Sequence, residues 1–170
     1  FLDKGEDSIT EPELKAALRK RVLAGDFFLV SGGDGRGVIV EKLLDIMADY
    51  LPSPLDVDEI WGVNPKTGDQ VGRKPDVNEP MAGLAFKIAT DPFVGKLIFV
   101  RAYSGVIKSG SYVLNTATGE KERIGRIVRM HADKREEIDE IVAGDIAAVL
   151  GLKSTFTGHT LSDVAHPVAL

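Results

Sequence analysis

Two kinds of hydrophobic spacing divide the chain. As far as residue 50, apolar side chains recur at three- and four-residue steps: Leu14, Leu18 and Val22 with Ala17 beside them, then Val40, Leu43, Leu44 and Met47. This is the period of amphipathic helices, and each stripe predicts a core-packed face. Thr10-Glu11-Pro12-Glu13 has the capping-box form, with Pro in the first turn, where its missing N–H does no harm. Gly25 ends that helix. Residues 26–31 (DFFLVS) make an apolar run of strand length, and a glycine-rich turn at 32–37 leads into a second helix over 38–50, packed by one face on the strand. A helix–strand–helix piece of this kind belongs to an α/β sheet, because a lone strand has no ladder partner. The chain therefore reads as beginning inside a larger domain.

Past Pro52-Ser53-Pro54, which stops the second helix, the period changes to two. A connector over 55–80 holds Trp61 and a turn at Asn64-Pro65-Lys66-Thr67-Gly68, flanked by residues suited to a small two-stranded ribbon across the domain boundary. Trp61 has two readings, a stacking platform for a base or a packing anchor, and a single Trp beside a proline-rich connector is more often the anchor. From residue 81, β-rich runs at 84–89, 96–103 and 111–115 are separated by Asp91-Pro92, Gly95, Ser104-Gly105 and Ser109-Gly110, the punctuation of an antiparallel barrel or sandwich. Leu84, Phe86 and Ile88 alternate with Ala85, Lys87 and Ala89, predicting one buried and one wet face. Over 97–102 both alternating sets are largely apolar, which predicts a strand covered on both sides. Arg123, Gly125, Ile127 and Arg129 share one face of a strand over 121–130, and Ile124, Val128 and Met130 share the other with Arg126. That Arg either packs its stem and reaches out at the edge or is turned outward by a bulge at Gly125. Residues 131–137 read as a loop, 146–150 as a strand and 157–160 as a turn, and after Leu161 the periodicity is lost. The predicted organisation is 1–54, 55–80 and 81–170.

Composition narrows the class. The 170 residues are 44% hydrophobic with mean hydropathy near zero and no cysteine, which describes a soluble globular protein without disulfides or thiolate metal sites. No apolar run approaches the ~20 residues of a membrane span, and the acidic start FLDKGEDSITEPE does not resemble a signal peptide. The net charge of −5 hides an asymmetry: residues 84–135 carry ten Lys/Arg against four acids, a local +6 that leaves −11 elsewhere. A basic sector on an acidic chain points to a localised polyanion contact, although for any single Lys a solvated surface is the commoner role.

Catalytic chemistry is sparse. His131, His159 and His166 form no H-E-x-x-H pair, no G-x-S-x-G elbow supplies a nucleophile, and Glu136-Glu137 with Asp139-Glu140 suits a solvated rim better than an acid/base pair. A strand, glycine-rich turn and helix can bind phosphate through backbone N–H groups. The SGGDGRG loop, however, lacks the last glycine of the dinucleotide fingerprint and places Asp34 where phosphate would approach.

Several longer stretches carry a resemblance. DPFVGK at 91–96, YSGVIKSGSYVLN at 103–115, GRIVRMHADKREEID at 125–139, AGDIAAVLGLK at 143–153, YLPSPLDV at 50–57 and NPKTG at 64–68 together resemble bacterial elongation factor G, a translational GTPase, over nearly all of the chain beyond Leu51. The resemblance implies an α+β fragment. Its C-terminal part would be an all-β antiparallel translation-factor barrel, the factor's second domain, and its N-terminal part a helix–strand–helix remnant of the α/β GTPase domain. It implies a cytoplasmic protein whose barrel meets ribosomal RNA on the small ribosomal subunit and packs on the GTPase domain of the same parent chain, with no membrane. GTP or GDP with Mg²⁺ would be held by the parent. The last GTPase motif, a Ser-Ala dipeptide touching the guanine base, falls on Ser31 and Gly32, and the chain departs from it at Gly32-Gly33-Asp34. The phosphate-binding loop, both switch segments and the Asn-Lys-x-Asp motif are absent, so this stretch alone is not expected to hydrolyse GTP. Within the basic sector the expected RNA contacts are Arg123, Arg129, Lys134 and Arg135, with Lys96 and Lys108 at the edges. Two alternatives stand beside this reading: a paralogous translational GTPase of ribosomal-protection or release-factor type, and a free-standing nucleotide-binding enzyme using SGGDGRG.

Overall fold

In the computed structural model, residues 9–132 and 134–170 are described, and the chain divides into two compact units, Phe1–Asp56 and Val57–Leu170. The acidic stretch 1–8 and Asp133 of the HADKREEID motif lie outside the described residues.

The first unit holds two helices, α1 (Glu11–Leu23) and α2 (Val38–Tyr50), and a short 3-10 turn at Pro54–Asp56. The Glu13 carboxylate accepts from the Thr10 N–H at 2.9 Å and from the Thr10 hydroxyl at 2.7 Å. Those two bonds hold Glu13 below its ordinary pKa. Arg19 on α1 donates to the Asp49 carbonyl at 2.8 Å and to the Asp56 carboxylate at 2.7 Å, tying α1 to the end of α2 and the turn after it. The expected strand at 26–31 is not formed: residues 27–31 carry no ladder, since among the described residues nothing offers them a partner. The helix stripes also bury less than their spacing predicts. Leu18 and Val22 are half-buried, whereas Leu14, Val40, Leu43, Leu44 and Met47 are exposed. No residue of either helix is fully buried, because each apolar face lacks a layer to pack on.

The second unit opens with the ribbon β1 (Ile60–Val63) and β2 (Gln70–Arg73), paired antiparallel. It lies inside this unit rather than across a boundary, and Val63 bridges to Ala169 near the chain's end. Trp61 is 60% exposed, so it is not the packing anchor its setting suggested. The main sheet runs in the order β7-β6-β12-β3-β4-β11-β8-β9. Its strands are β3 (Ala82–Asp91), β4 (Gly95–Ser104), β6 (Tyr112–Asn115), β7 (Glu120–Arg123), β8 (Ile127–His131), β9 (Lys134–Ile138), β11 (Ile146–Val149) and β12 (Thr160–Ser162), all antiparallel to their neighbours. A separate pair joins β5 (Val106–Lys108) to β10 (Glu140–Val142) and buries Ile107 and Ile141 fully. Pairs of backbone bonds hold the stretch between β7 and β8: Ile124 N–H to the Ser111 carbonyl with Gly110 N–H to the Ile124 carbonyl, and Gly125 N–H to the Leu150 carbonyl with Leu150 N–H to the Arg126 carbonyl, each at 2.9 Å.

β4 is covered on both faces, as its unbroken apolar run predicts. Ile98, Val100 and Ala102 enter the main core with Val113, Ile127 and Leu161, while Leu97 joins Ala148 and Leu150 on the far side, backed by Phe99 and Val128. On β3 the register shifts between Ala85 and Lys87. This bulge turns Ala85 inward and leaves Phe86 exposed, the reverse of the simple alternation. A similar change of phase falls at 124–126, where the predicted continuous strand breaks. Ile124 and Ile127, three residues apart, are both fully buried, and a side chain on Gly125 would collide with the Leu150 carbonyl. Arg126 is exposed, as an interruption at Gly125 requires. Residues 134–137, expected in a loop, are strand: β9 pairs with β8 from Ile127↔Ile138 to His131↔Lys134, and Ala132 after β8 lies in the left-handed region (φ 54°). The KREEI run reads as loop because an edge strand is solvated and needs few apolar residues.

Backbone amides of Ile98–Val100 and Ala147–Val149 are expected to resist hydrogen exchange far longer than those of 27–30, which have no ladder and little cover. Equal protection of the two regions, read by mass spectrometry, would contradict this ordering of stabilities.

Candidate nucleic-acid interface

The six basic residues expected to meet RNA occupy three places in the second unit. Lys96, near the start of β4, donates from Nζ to the Thr155 carbonyl at 2.8 Å and lies 4.7 Å from the centre of the Phe156 ring. Arg135 on β9 pairs with Asp91 at 3.1 Å, and its guanidinium lies 5.8 Å from the Phe93 ring centre. Since Asp91 pairs with Gly95 and Thr90 with Lys96, both arrangements sit at the end of the β3–β4 hairpin. Asp91 Oδ1 also accepts from the Phe93 and Val94 amides at 2.8 and 3.0 Å, so one carboxylate shapes the turn and holds the Arg. The Phe93 amide foremost, then the Val94 amide and Arg135, keep the Asp91 carboxyl below its ordinary range, outweighing the opposing effect of desolvation.

Arg129 and Lys134 form the second group. Arg129 faces Glu136 and His131 faces Lys134 across the β8–β9 ladder, so Arg129, His131 and Lys134 share one side of the hairpin, whereas Arg135, opposite Met130, points to the other. Lys134-Arg135 therefore do not extend a single face; on a strand, neighbours alternate. Arg129 pairs with Asp145 at 3.2 Å, with both side chains about two-fifths exposed. Such a surface pair is worth little, typically about 0–1 kcal/mol, and leaves the guanidinium available to a stronger anion.

The third group is Arg123 with Lys108. Arg123 does not share a strand with Arg129: β7 ends at Arg123 and β8 begins only at Ile127, at the far end of the strand order. Its Nε donates to the Gly110 carbonyl at 3.4 Å, beside the turn that follows β5, where Lys108 lies 3.9 Å from Glu140. Arg123, Lys121 and Lys153 border a cleft of about 330 Å³ with Tyr112, but Glu120 and Glu122 line it as well. The mixed charge makes it a poor anion site.

In the first unit, Ser31 and Gly32 are exposed in the stretch before α2. Ser31 borders a groove of about 430 Å³ lined mainly by Phe27, Phe28, Leu43 and Ile46. Asp34 Oδ1 accepts the Arg36 N–H at 3.0 Å. This loop thus turns a carboxylate toward its own amide, the opposite of a phosphate cradle.

One polar cluster is not legible from the pattern. Glu122 on β7 is 8% exposed, and its carboxylate accepts from the Lys153 N–H (2.7 Å), the Ser154 N–H (2.9 Å), the Thr155 hydroxyl (2.5 Å) and Asn115 Nδ2 (3.0 Å). Asn115 Nδ2 also lies 3.2 Å from His159 Nδ1. Burial alone would raise the Glu122 pKa, but the Thr155 and Asn115 side chains and the two amides outweigh it and the group is lowered. These bonds fasten the segment 153–155, whose carbonyl at Thr155 holds Lys96, to β6 and β7. The only sequence sign was the alternation in EKER, where Glu122 sits between two outward cations.

Among known proteins, the family model described as elongation factor Tu domain 2 matches residues 95–162. That stretch resembles a translation-factor domain. A crystal structure of a protein from Thermus thermophilus superposes with a TM-score of 0.65 at 23% sequence identity, covering 98% of this chain. The chain spans 22% of that protein's length. The fold is thus a mostly antiparallel translation-factor β-barrel with a small helical part.

Glu122→Gln is expected to destabilise the barrel by about 1–3 kcal/mol, because an amide NH₂ would confront buried N–H donors. The wild-type carboxylate, with its pKa lowered in the fold, contributes stability that is complete above the ordinary value of 4.5 and is lost as pH falls through the lowered value. Urea titrations from neutral to acid pH should show a shallower acid loss in the variant; an unchanged midpoint and pH profile would contradict the role given to Glu122.

Proposed function

We propose that this chain is part of a translational GTPase of the elongation factor G kind, a cytoplasmic protein that promotes movement of tRNA and mRNA on the ribosome. Its Val57–Leu170 barrel is the part that meets small-subunit ribosomal RNA. The observation that carries the reading is the match of residues 95–162 to a translation-factor domain family, on a barrel whose cations gather at two hairpins. Arg129 with Lys134, and Arg135 with Lys96, are the phosphate contacts, and Arg123 and Lys108 add a further cationic point. Guanidinium groups suit the task because their planar forks grip phosphate oxygens in pairs. Such contacts position a protein on RNA without reading its sequence.

The first unit belongs, on this reading, to the GTPase domain of the same parent chain, to which the barrel is coupled. Ser31 and Gly32 there stand near the guanine base, while GTP or GDP and Mg²⁺ are held by parts of the parent outside these 170 residues. Nucleotide hydrolysis needs ligands for the phosphates and the metal, which this stretch lacks.

Two measurements test the proposal. Titration calorimetry of the isolated chain with GTP is expected to give no binding in the micromolar range; a micromolar Kd would instead favour a free-standing nucleotide site. Binding of the chain to small ribosomal subunits is expected to weaken as salt rises. Arg129→Ala with Lys134→Ala should lower affinity and flatten the log–log salt slope by about one unit or somewhat less for each phosphate no longer neutralised. Unchanged affinity and slope would make this face solvated surface.

A further inference from the structure

We infer that the tip of the β3–β4 hairpin is a stacking prong for an unpaired nucleotide of RNA, with Phe93 as its platform and Phe156 as a second ring flanking the hairpin end from the opposite side. This rests on the RNA-binding reading above and names the kind of RNA recognised. Phe93 is 85% exposed, and its side chain is not needed to make the turn. The turn is set by Asp91 accepting the Phe93 and Val94 amides and by Gly95 at φ +81°. A large apolar ring is therefore held out from a fixed backbone, anchored at its base by the Asp91–Arg135 pair.

Cations are set against both rings. Arg135 lies 5.8 Å from the Phe93 centroid and Lys96 lies 4.7 Å from that of Phe156, itself 57% exposed with His159 at its edge. Along β4, Lys96 is in phase with the core residues Ile98 and Val100, whereas Arg135 shares a side with Met130 of the second cluster, so the two pairs flank the hairpin end. A cation takes one face of an aromatic ring and leaves the other for a base, while its charge answers the adjoining phosphate. A protein hot spot would instead surround the rings with apolar neighbours that exclude water. Paired bases keep their faces stacked within the helix, so a ring at a prong tip selects a loop, bulge or end.

The test uses the full chain and two RNA probes, a hairpin with a fluorescent aminopurine base in its loop and a fully paired duplex of the same stem. The loop probe is expected to bind more tightly, with its fluorescence changed by stacking. Phe93→Ala is expected to weaken loop binding about 5- to 150-fold, the equivalent of one stacked base, and to abolish the fluorescence change without altering the salt slope. Duplex binding should stay the same, and Phe93→Trp should preserve the loop preference. If Phe93→Ala leaves loop binding and fluorescence unchanged, or weakens both probes equally, the prong is overturned while salt-dependent RNA binding stands. If neither probe binds at all, both the prong and the RNA-binding reading fall.

Discussion

The barrel is organised by β4, which is bonded along one side to β3 and along the other to β11 and is buried on both faces. A strand in that position has little solvent access on either face, so few of its positions suit polar residues. Its length is therefore nearly all apolar, and its neighbours on each face must be apolar too. Ile98, Val100 and Ala102 demand the main core, and Leu97 demands the second cluster with Ala148 and Leu150. Every further strand is positioned by where it must stand to cover one of those two faces.

From this constraint follows the placement of the polar groups. A strand so committed carries little charge: Lys96 stands near its start, and Arg101, half-buried, is held within the ladder between Leu84 and Ile146. Lys96 is held by the Thr155 carbonyl, and Thr155 is fixed by the buried Glu122 carboxylate. The hydrogen-bonded cluster of Glu122, Asn115 and Thr155 thus places a surface cation as surely as packing places a core side chain. A buried carboxylate with four donors is satisfied where a lone one would be costly.

The same logic separates the two units. Val57–Leu170 has a core with fully buried Ile, Val and Leu side chains, whereas α1 and α2 bury no residue completely. Their stripes are well formed as helices, since helical hydrogen bonds are local. The burial those stripes anticipate is not met among the described residues.

Local chemistry was readable from the chain itself: the Thr10–Glu13 cap, α2 over Val38–Tyr50, the ribbon around Asn64–Gly68 and the two-faced character of β4. Each depends on a few adjacent residues or on one residue's conformational freedom. What the chain could not decide was phase and partnership. The bulge after Ala85 and the interruption at 124–126 each shift alternation by one residue, which moves every later side chain to the other face; so Arg123 and Arg129, in phase on paper, stand on separate strands. KREEI became a strand only because β8 offered it a ladder, and DFFLV, the more strand-like of the two by composition, has no ladder because none is offered among the described residues. Backbone pairing is a contact between distant segments, and no local pattern specifies which segment, if any, will be there to make it.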